Sequence, residues 1–71
     1  MQEVEMTKEP VELYKILKFE GLAASGGEAK AAITDSQVKV NGEVETRMRK
    51  KIYSGDVIEF AGQELKMLLK V

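Results

Sequence analysis

The sequence predicts an α+β fold in which two short helices pack on a small, mostly antiparallel sheet. Three observations carry that expectation. Leu13, Ile16 and Leu17 fall at i, i+3, i+4, the core stripe of a helix. Ser25-Gly26-Gly27-Glu28 is a capping box, in which a hydroxyl and a carboxylate each satisfy an orphan amide, and an alanine-rich run follows it. From Val38 onward, short apolar runs are separated by turn formers at Asn41-Gly42, Ser54-Gly55-Asp56 and Ala61-Gly62-Gln63, the punctuation of strands.

Composition bounds what such a domain does. The 71 residues read as a single domain, 1–71, near the lower size limit for a chain that folds alone, and an apolar content of 44% suffices for one small core. The absence of cysteine excludes a disulfide framework and thiolate metal sites, and the absence of histidine excludes His-based acid–base catalysis and the commonest zinc sites. No apolar run approaches the roughly 18–20 residues that span a bilayer. The first ten residues are acidic and carry no apolar signal core, so a cytoplasmic protein is expected. Net charge is −1, from 11 basic and 12 acidic residues, which argues against coating nucleic acid by bulk charge. The charge is unevenly spread, however. Residues 1–14 carry Glu3, Glu5, Glu9 and Glu12 against Lys8, a balance of −3, whereas residues 46–51 carry Arg47, Arg49, Lys50 and Lys51 with no acid, a balance of +4.

In chain order, Gln2 to Thr7 alternates weakly and predicts an edge strand whose glutamates discourage further pairing. Pro10 is expected in the first turn of a helix from Val11 to Glu20, with Glu9 and Glu12 near its positive end and Gly21 as the stop. Leu22 is expected to fold back on the core. The second helix is expected from about Gly26 to Asp35, where Ala29, Ala31 and Ala32 allow a close approach to the first. Free amides at Gly26-Gly27 attract anions in principle, but no strand precedes them and no GxxxxGK pattern is present, so a capped helix start is the better reading. Val38 to Val40 forms a strand and Asn41-Gly42 turns it. A strict two-residue hairpin would set Val40 opposite Glu43 and Val38 opposite Glu45, placing glutamates on the apolar face. A longer loop or bulge at 41–43 is therefore expected, pairing Val40 with Val44 and Val38 with Thr46. If the returning arm stays extended, Glu45, Arg47, Arg49 and Lys51 share one face, Lys39 joins them, and Val44, Thr46 and Met48 face the other way. Val57 to Phe60 and the run holding Leu65, Met67 and Leu69 complete the sheet.

Four spaced motifs, Gly21-Leu22-Ala23-Ala24-Ser25, Glu28-Ala29-Lys30, Val38-Lys39-Val40-Asn41-Gly42 and Gly55-Asp56-Val57-Ile58-Glu59-Phe60, resemble in kind and order those of the S4 RNA-binding domain. The resemblance covers about residues 11–60, and within the family it points to the short stand-alone bacterial proteins. It implies the S4 fold with flanking strands and binding of structured RNA, ribosomal or transfer RNA, in the cytoplasm, with no catalytic domain attached and no cofactor or metal. Two positions depart from the family pattern. Gly26 stands where many members have a basic residue, leaving Lys30 to carry that edge, and Ser36 stands where many have a glycine.

The residues expected to contact RNA are Arg47, Arg49, Lys50 and Lys51, with Lys30, Lys39 and Asn41 beside them; Lys15, Lys18 and Tyr53 are further candidates. Arginine presents a planar fork to phosphate, and phosphate contacts dominate nucleic-acid affinity. The competing readings are ordinary ones: a solvated strand face for the basic run, an exposed helix face for Lys15 and Lys18, partly buried packing for Tyr53 and turn formation for Asn41. The alternative function is a protein-interaction adaptor whose acidic N-terminal part docks a ribosomal or replication partner.

Overall fold

The computed structural model describes residues 1–70; Val71, the last residue of the expected domain, lies outside the described residues. The elements follow as β1 (Gln2–Met6), β2 (Val11–Glu12), α1 (Leu13–Phe19), α2 (Gly26–Thr34), β3 (Val38–Val40), β4 (Glu43–Val44), β5 (Lys51–Ile52), β6 (Val57–Phe60) and β7 (Gln63–Leu69). Five strands form one sheet in the order β1-β7-β6-β3-β4, and β2 pairs with β5 in a second, two-stranded sheet. Among the described residues only the β1–β7 pair is parallel, so the mostly antiparallel α+β architecture is the one the sequence predicts.

Period-two alternation decides which face of the large sheet is buried. Val38, Val40, Ile58, Leu65 and Met67 point to the helices, and Lys39, Glu59, Glu64 and Lys66 point away. Leu13, Ile16 and Leu17 of α1 and Ala29, Ala32 and Ile33 of α2 close the core from above. Each large side chain buried there contributes about 1.5–3 kcal/mol of transfer free energy. Ala29 and Ala32 are buried on α2, as expected from their size, whereas Ala31 faces solvent because it lies on the outer side of the helix. Leu22 folds back, its amide donating to the Leu17 carbonyl at 3.0 Å.

The helix ends follow their capping chemistry. Ser25 Oγ accepts from the Glu28 amide at 3.2 Å, and the Glu28 carboxylate accepts from the Ala24 amide, also at 3.2 Å, one residue earlier than in a standard box. Ser36 takes the left-handed φ of 62°, a conformation that glycine adopts at less cost.

Three expectations are corrected. Helix α1 begins at Leu13 rather than Val11, because Val11 and Glu12 pair with Ile52 and Lys51 as strand β2. Pro10 therefore precedes that strand instead of opening the helix, and Glu9 accepts a hydrogen bond from the Ser54 amide at 2.7 Å. The hairpin after β3 is the strict two-residue form, with Val40 opposite Glu43 and Lys39 opposite Val44. The objection to that register is burial of glutamates; it lapses because Glu43 is exposed on the two-residue edge strand β4 and the half-buried Glu45 carboxylate is paired by Arg47. Finally, the returning arm does not stay extended, and Val44, Thr46 and Met48 face solvent rather than the core.

Candidate nucleic-acid interface

The hairpin is locked by a side chain as well as by its backbone. Asn41 sits at φ 53°, its Nδ2 donates to Asp56 Oδ1 at 3.0 Å, and its Oδ1 accepts from the Val57 amide at 2.9 Å. The other oxygen of Asp56 accepts from the Tyr53 amide at 2.8 Å. The Asn-Gly and Gly-Asp motifs are thus one hydrogen-bonded unit that fixes the hairpin against the turn before β6. Asn41 is a structural tie, with both ends of its amide engaged.

Beyond this unit the chain leaves the sheet. The Glu45 amide still donates to the Val38 carbonyl at 3.0 Å, then residues 45–50 run without strand pairing, and the Lys50 amide closes a turn onto the Arg47 carbonyl at 3.3 Å. Helix α1 holds this loop. Glu12, its N-cap, makes no side-chain cap, so the first amides of the helix need other acceptors. The Leu13 amide donates to the Lys50 carbonyl at 2.9 Å and the Tyr14 amide to the Met48 carbonyl at 3.2 Å. Backbone carbonyls of the loop therefore cap the helix, while Arg47, Arg49 and Lys51 remain exposed.

The gathered cations are partly partnered. Arg47 meets Glu45 through two prongs, Nε to Oε2 at 2.9 Å and Nη2 to Oε1 at 3.2 Å, and its amide donates to the same carboxylate at 3.1 Å. The Arg47 side-chain hydrogen bond holds the Glu45 carboxyl below its usual pKa, and the charges of Arg47 and Lys50 add to that effect. Glu12 serves two cations, Lys15 Nζ at 3.1 Å and Arg49 Nε at 3.8 Å. Lys30 Nζ stands 4.7 Å from the centre of the Tyr14 ring, a cation–π contact bridging the two helices. Among the described residues, Lys50 and Lys51 form no ion pair within 4.0 Å.

Arg47, Arg49, Lys50, Lys51 and Tyr53 together line an open depression of about 480 Å³. The loop places the basic run and the tyrosine around one concavity, although not through an extended strand. Lys15 shares Glu12 with Arg49, Lys30 stands over the ring of Tyr14, whose amide is bonded to the loop, and Lys18 lies on α1 near the start of α2, its Cδ 4.0 Å from where a side chain on Gly26 would begin. Lys39 is not brought to this surface. It projects from the opposite face of the large sheet, paired across strands with Val44 and Glu59. Sequence reasoning missed Asp56, Glu45, Glu12 and Tyr14. Their roles depend on contacts between residues far apart in the chain, except for Glu45, whose spacing of two from Arg47 left the pairing legible.

A two-helix α+β domain with a cationic loop anchored on its first helix defines the class of this protein. The chain belongs to the S4 domain family, whose profile matches residues 4–68. It is similar to YbcJ of Escherichia coli (strain K12), provisionally named an RNA-binding protein, with 50% identity over 58 residues, 82% of this chain and 83% of that protein. It is also similar to RlbA of Bacillus subtilis (strain 168), provisionally named a ribosome maturation protein, with 36% identity over 59 residues and 83% of each chain covered. The solution structure of E. coli YbcJ, described as revealing a motif involved in RNA binding, superimposes with a TM-score of 0.72 at 46% identity, covering 96% of this chain and 87% of that one. Among the described residues no helix is long and apolar enough to cross a membrane.

Proposed function

We propose that this protein binds structured RNA, without catalysis, through the loop that carries Arg47, Arg49, Lys50 and Lys51, with Lys30 and Lys15 extending the contact along the helices. The observation that carries the proposal is the single depression around which those four cations and Tyr53 are assembled. A concavity walled by guanidinium and ammonium groups attracts phosphate, and helix α1 orders the loop in advance, which lowers the cost of binding. The names of YbcJ and RlbA support RNA as the partner, and RlbA favours ribosomal RNA over transfer RNA. A cytoplasmic site of action fits such a partner. Lys39, on the far face of the sheet, plays no part in this contact, and Asn41 acts through the hairpin it holds.

The test compares the wild type with an Arg47→Glu/Arg49→Glu/Lys51→Glu variant on structured RNA and on matched duplex DNA across a salt series. The wild type is expected to bind RNA with a log–log salt slope of about −3, each phosphate contact supplying roughly 0.9 for a duplex. The variant, folded by circular dichroism, is expected to lose that binding. Equal binding by both proteins would overturn the assignment of the loop.

One observation favours the adaptor reading as a second function. Phe19 is 71% exposed and borders a groove of about 500 Å³ between β1 and α1, alongside Glu5, Glu12 and Glu20. A protein partner whose binding survives Arg47→Glu/Arg49→Glu but is lost with Phe19→Glu would establish it.

A further inference from the structure

The RNA-binding reading leaves one feature of the depression unused: it contains an aromatic ring. Phosphate recognition needs cations alone, and a duplex of A-form RNA presents no free base face to a side chain. Tyr53 is nevertheless 48% exposed, and it is the one aromatic residue among the five that line the concavity. Its position is not that of a loosely packed tail. Ile52, immediately before it, is fully buried, and Ser54, immediately after it, donates its amide to Glu9. The Tyr53 amide is held by Asp56 and its carbonyl accepts from the Asp56 amide at 3.1 Å. The backbone on both sides of the ring is thus fixed to the core and to the N-terminal segment. An exposed ring on a fixed backbone loses little freedom when something stacks on it.

The other four residues of the depression are all cations, and none of its lining is acidic. A π-face surrounded by positive charge suits a base carried between two phosphates. It suits an apolar protein side chain poorly, because burial of such a group would desolvate Lys50 and Lys51 without pairing them.

We propose that, given the RNA-binding function above, this depression receives an unpaired nucleotide of the RNA. Its base stacks on Tyr53, and the phosphates on either side lie against Arg49, Lys50 and Lys51. The protein then selects folded RNA at a bulge or loop, not along uninterrupted duplex. Lys50 and Lys51 are the cations best placed to accept phosphate at once, since Arg47 and Arg49 face Glu45 and Glu12.

The test uses the full chain and two RNAs, an uninterrupted hairpin stem and the same stem with a single bulged 2-aminopurine. The wild type is expected to prefer the bulged RNA by roughly 5- to 150-fold, the scale of one base–aromatic stack, with a change in 2-aminopurine fluorescence on binding. Tyr53→Phe keeps the preference and the fluorescence change. Tyr53→Leu loses both while its affinity for the uninterrupted stem stays within about two-fold of wild type. Equal wild-type affinity for the two RNAs, or a preference that survives Tyr53→Leu, overturns the stacking site and leaves the phosphate grip standing. Failure of the wild type to bind either RNA at low salt overturns the RNA-binding reading itself and this site with it.

Discussion

The protein contains two hairpins with the same turn geometry and opposite outcomes. Asn41-Gly42 and Ala61-Gly62 both have positive φ at their two central residues, 53° and 84° in the first and 52° and 78° in the second. Both give strict two-residue connections, Val40 to Glu43 and Phe60 to Gln63. After the second turn the chain continues as the seven-residue strand β7, whose Leu65 and Met67 are buried. After the first, pairing lasts two residues before the chain departs as the basic loop. The turn sets the reversal, and the sequence after it decides whether the chain stays in the sheet. Gln-Glu-Leu-Lys-Met-Leu-Leu offers an apolar face to the helices; Glu-Val-Glu-Thr-Arg-Met-Arg offers none long enough to hold the core. An arm released from the sheet is what lets α1 capture the loop through its first amides.

This contrast is open to attack by substitution, starting where the largest effect is expected. Leu65→Ala removes a fully buried side chain and is expected to cost about 2–5 kcal/mol in urea unfolding. Val44→Ala in the other hairpin arm, where the side chain is half exposed, is expected to cost less than about 0.5 kcal/mol. Comparable losses would mean that both arms carry core packing.

Asn41→Ala breaks the tie to Asp56 and the Val57 amide and leaves a β-carbon residue at positive φ. It is expected to destabilise by about 1–2 kcal/mol and to speed hydrogen exchange at Val57 selectively. In the second hairpin the relation reverses: Ala61 already bears the left-handed strain without such a tie among the described residues, so Ala61→Gly is expected to stabilise by about 0.5–1 kcal/mol. A loss of stability there would show that the strain is compensated.

The smallest effect concerns Glu45. Its carboxyl is held below the usual range by Arg47, so the contribution of the pair is present above the unfolded-state pKa and is lost as pH falls through the folded value. Glu45→Gln should flatten that acid limb of the stability profile. If Arg47 meets phosphate as proposed, Glu45 competes for its fork, and the same variant should tighten RNA binding by up to about five-fold. Weaker binding would indicate that Glu45 positions Arg47 for the RNA.

Much of the fold was legible in the sequence because alternation, helical spacing and turn residues act locally. Strands β3, β6 and β7, the capping box at Ser25 and the stop at Gly21 all follow from neighbours a few residues apart. What escaped is nonlocal. Val11 and Glu12 look like a helix start by composition, and only their pairing with Lys51 and Ile52 makes them a strand. The register of the first hairpin was misjudged because its arm was assumed to cross the core. That Arg47, Arg49, Lys50 and Lys51 form a basic group could be read directly from the chain, but the depression they share with Tyr53 depends on α1 accepting loop carbonyls as its cap.

The most direct test of the account is amide chemical-shift mapping during titration with the bulged RNA. The expected result is that the largest shifts cluster at residues 47–53, with Tyr14 and Lys30 following, while Lys39, Glu59 and Lys66 on the outer face of the sheet stay near their free positions. Shifts centred on that outer face, with the loop silent, would contradict the claim that the loop is the RNA-binding surface.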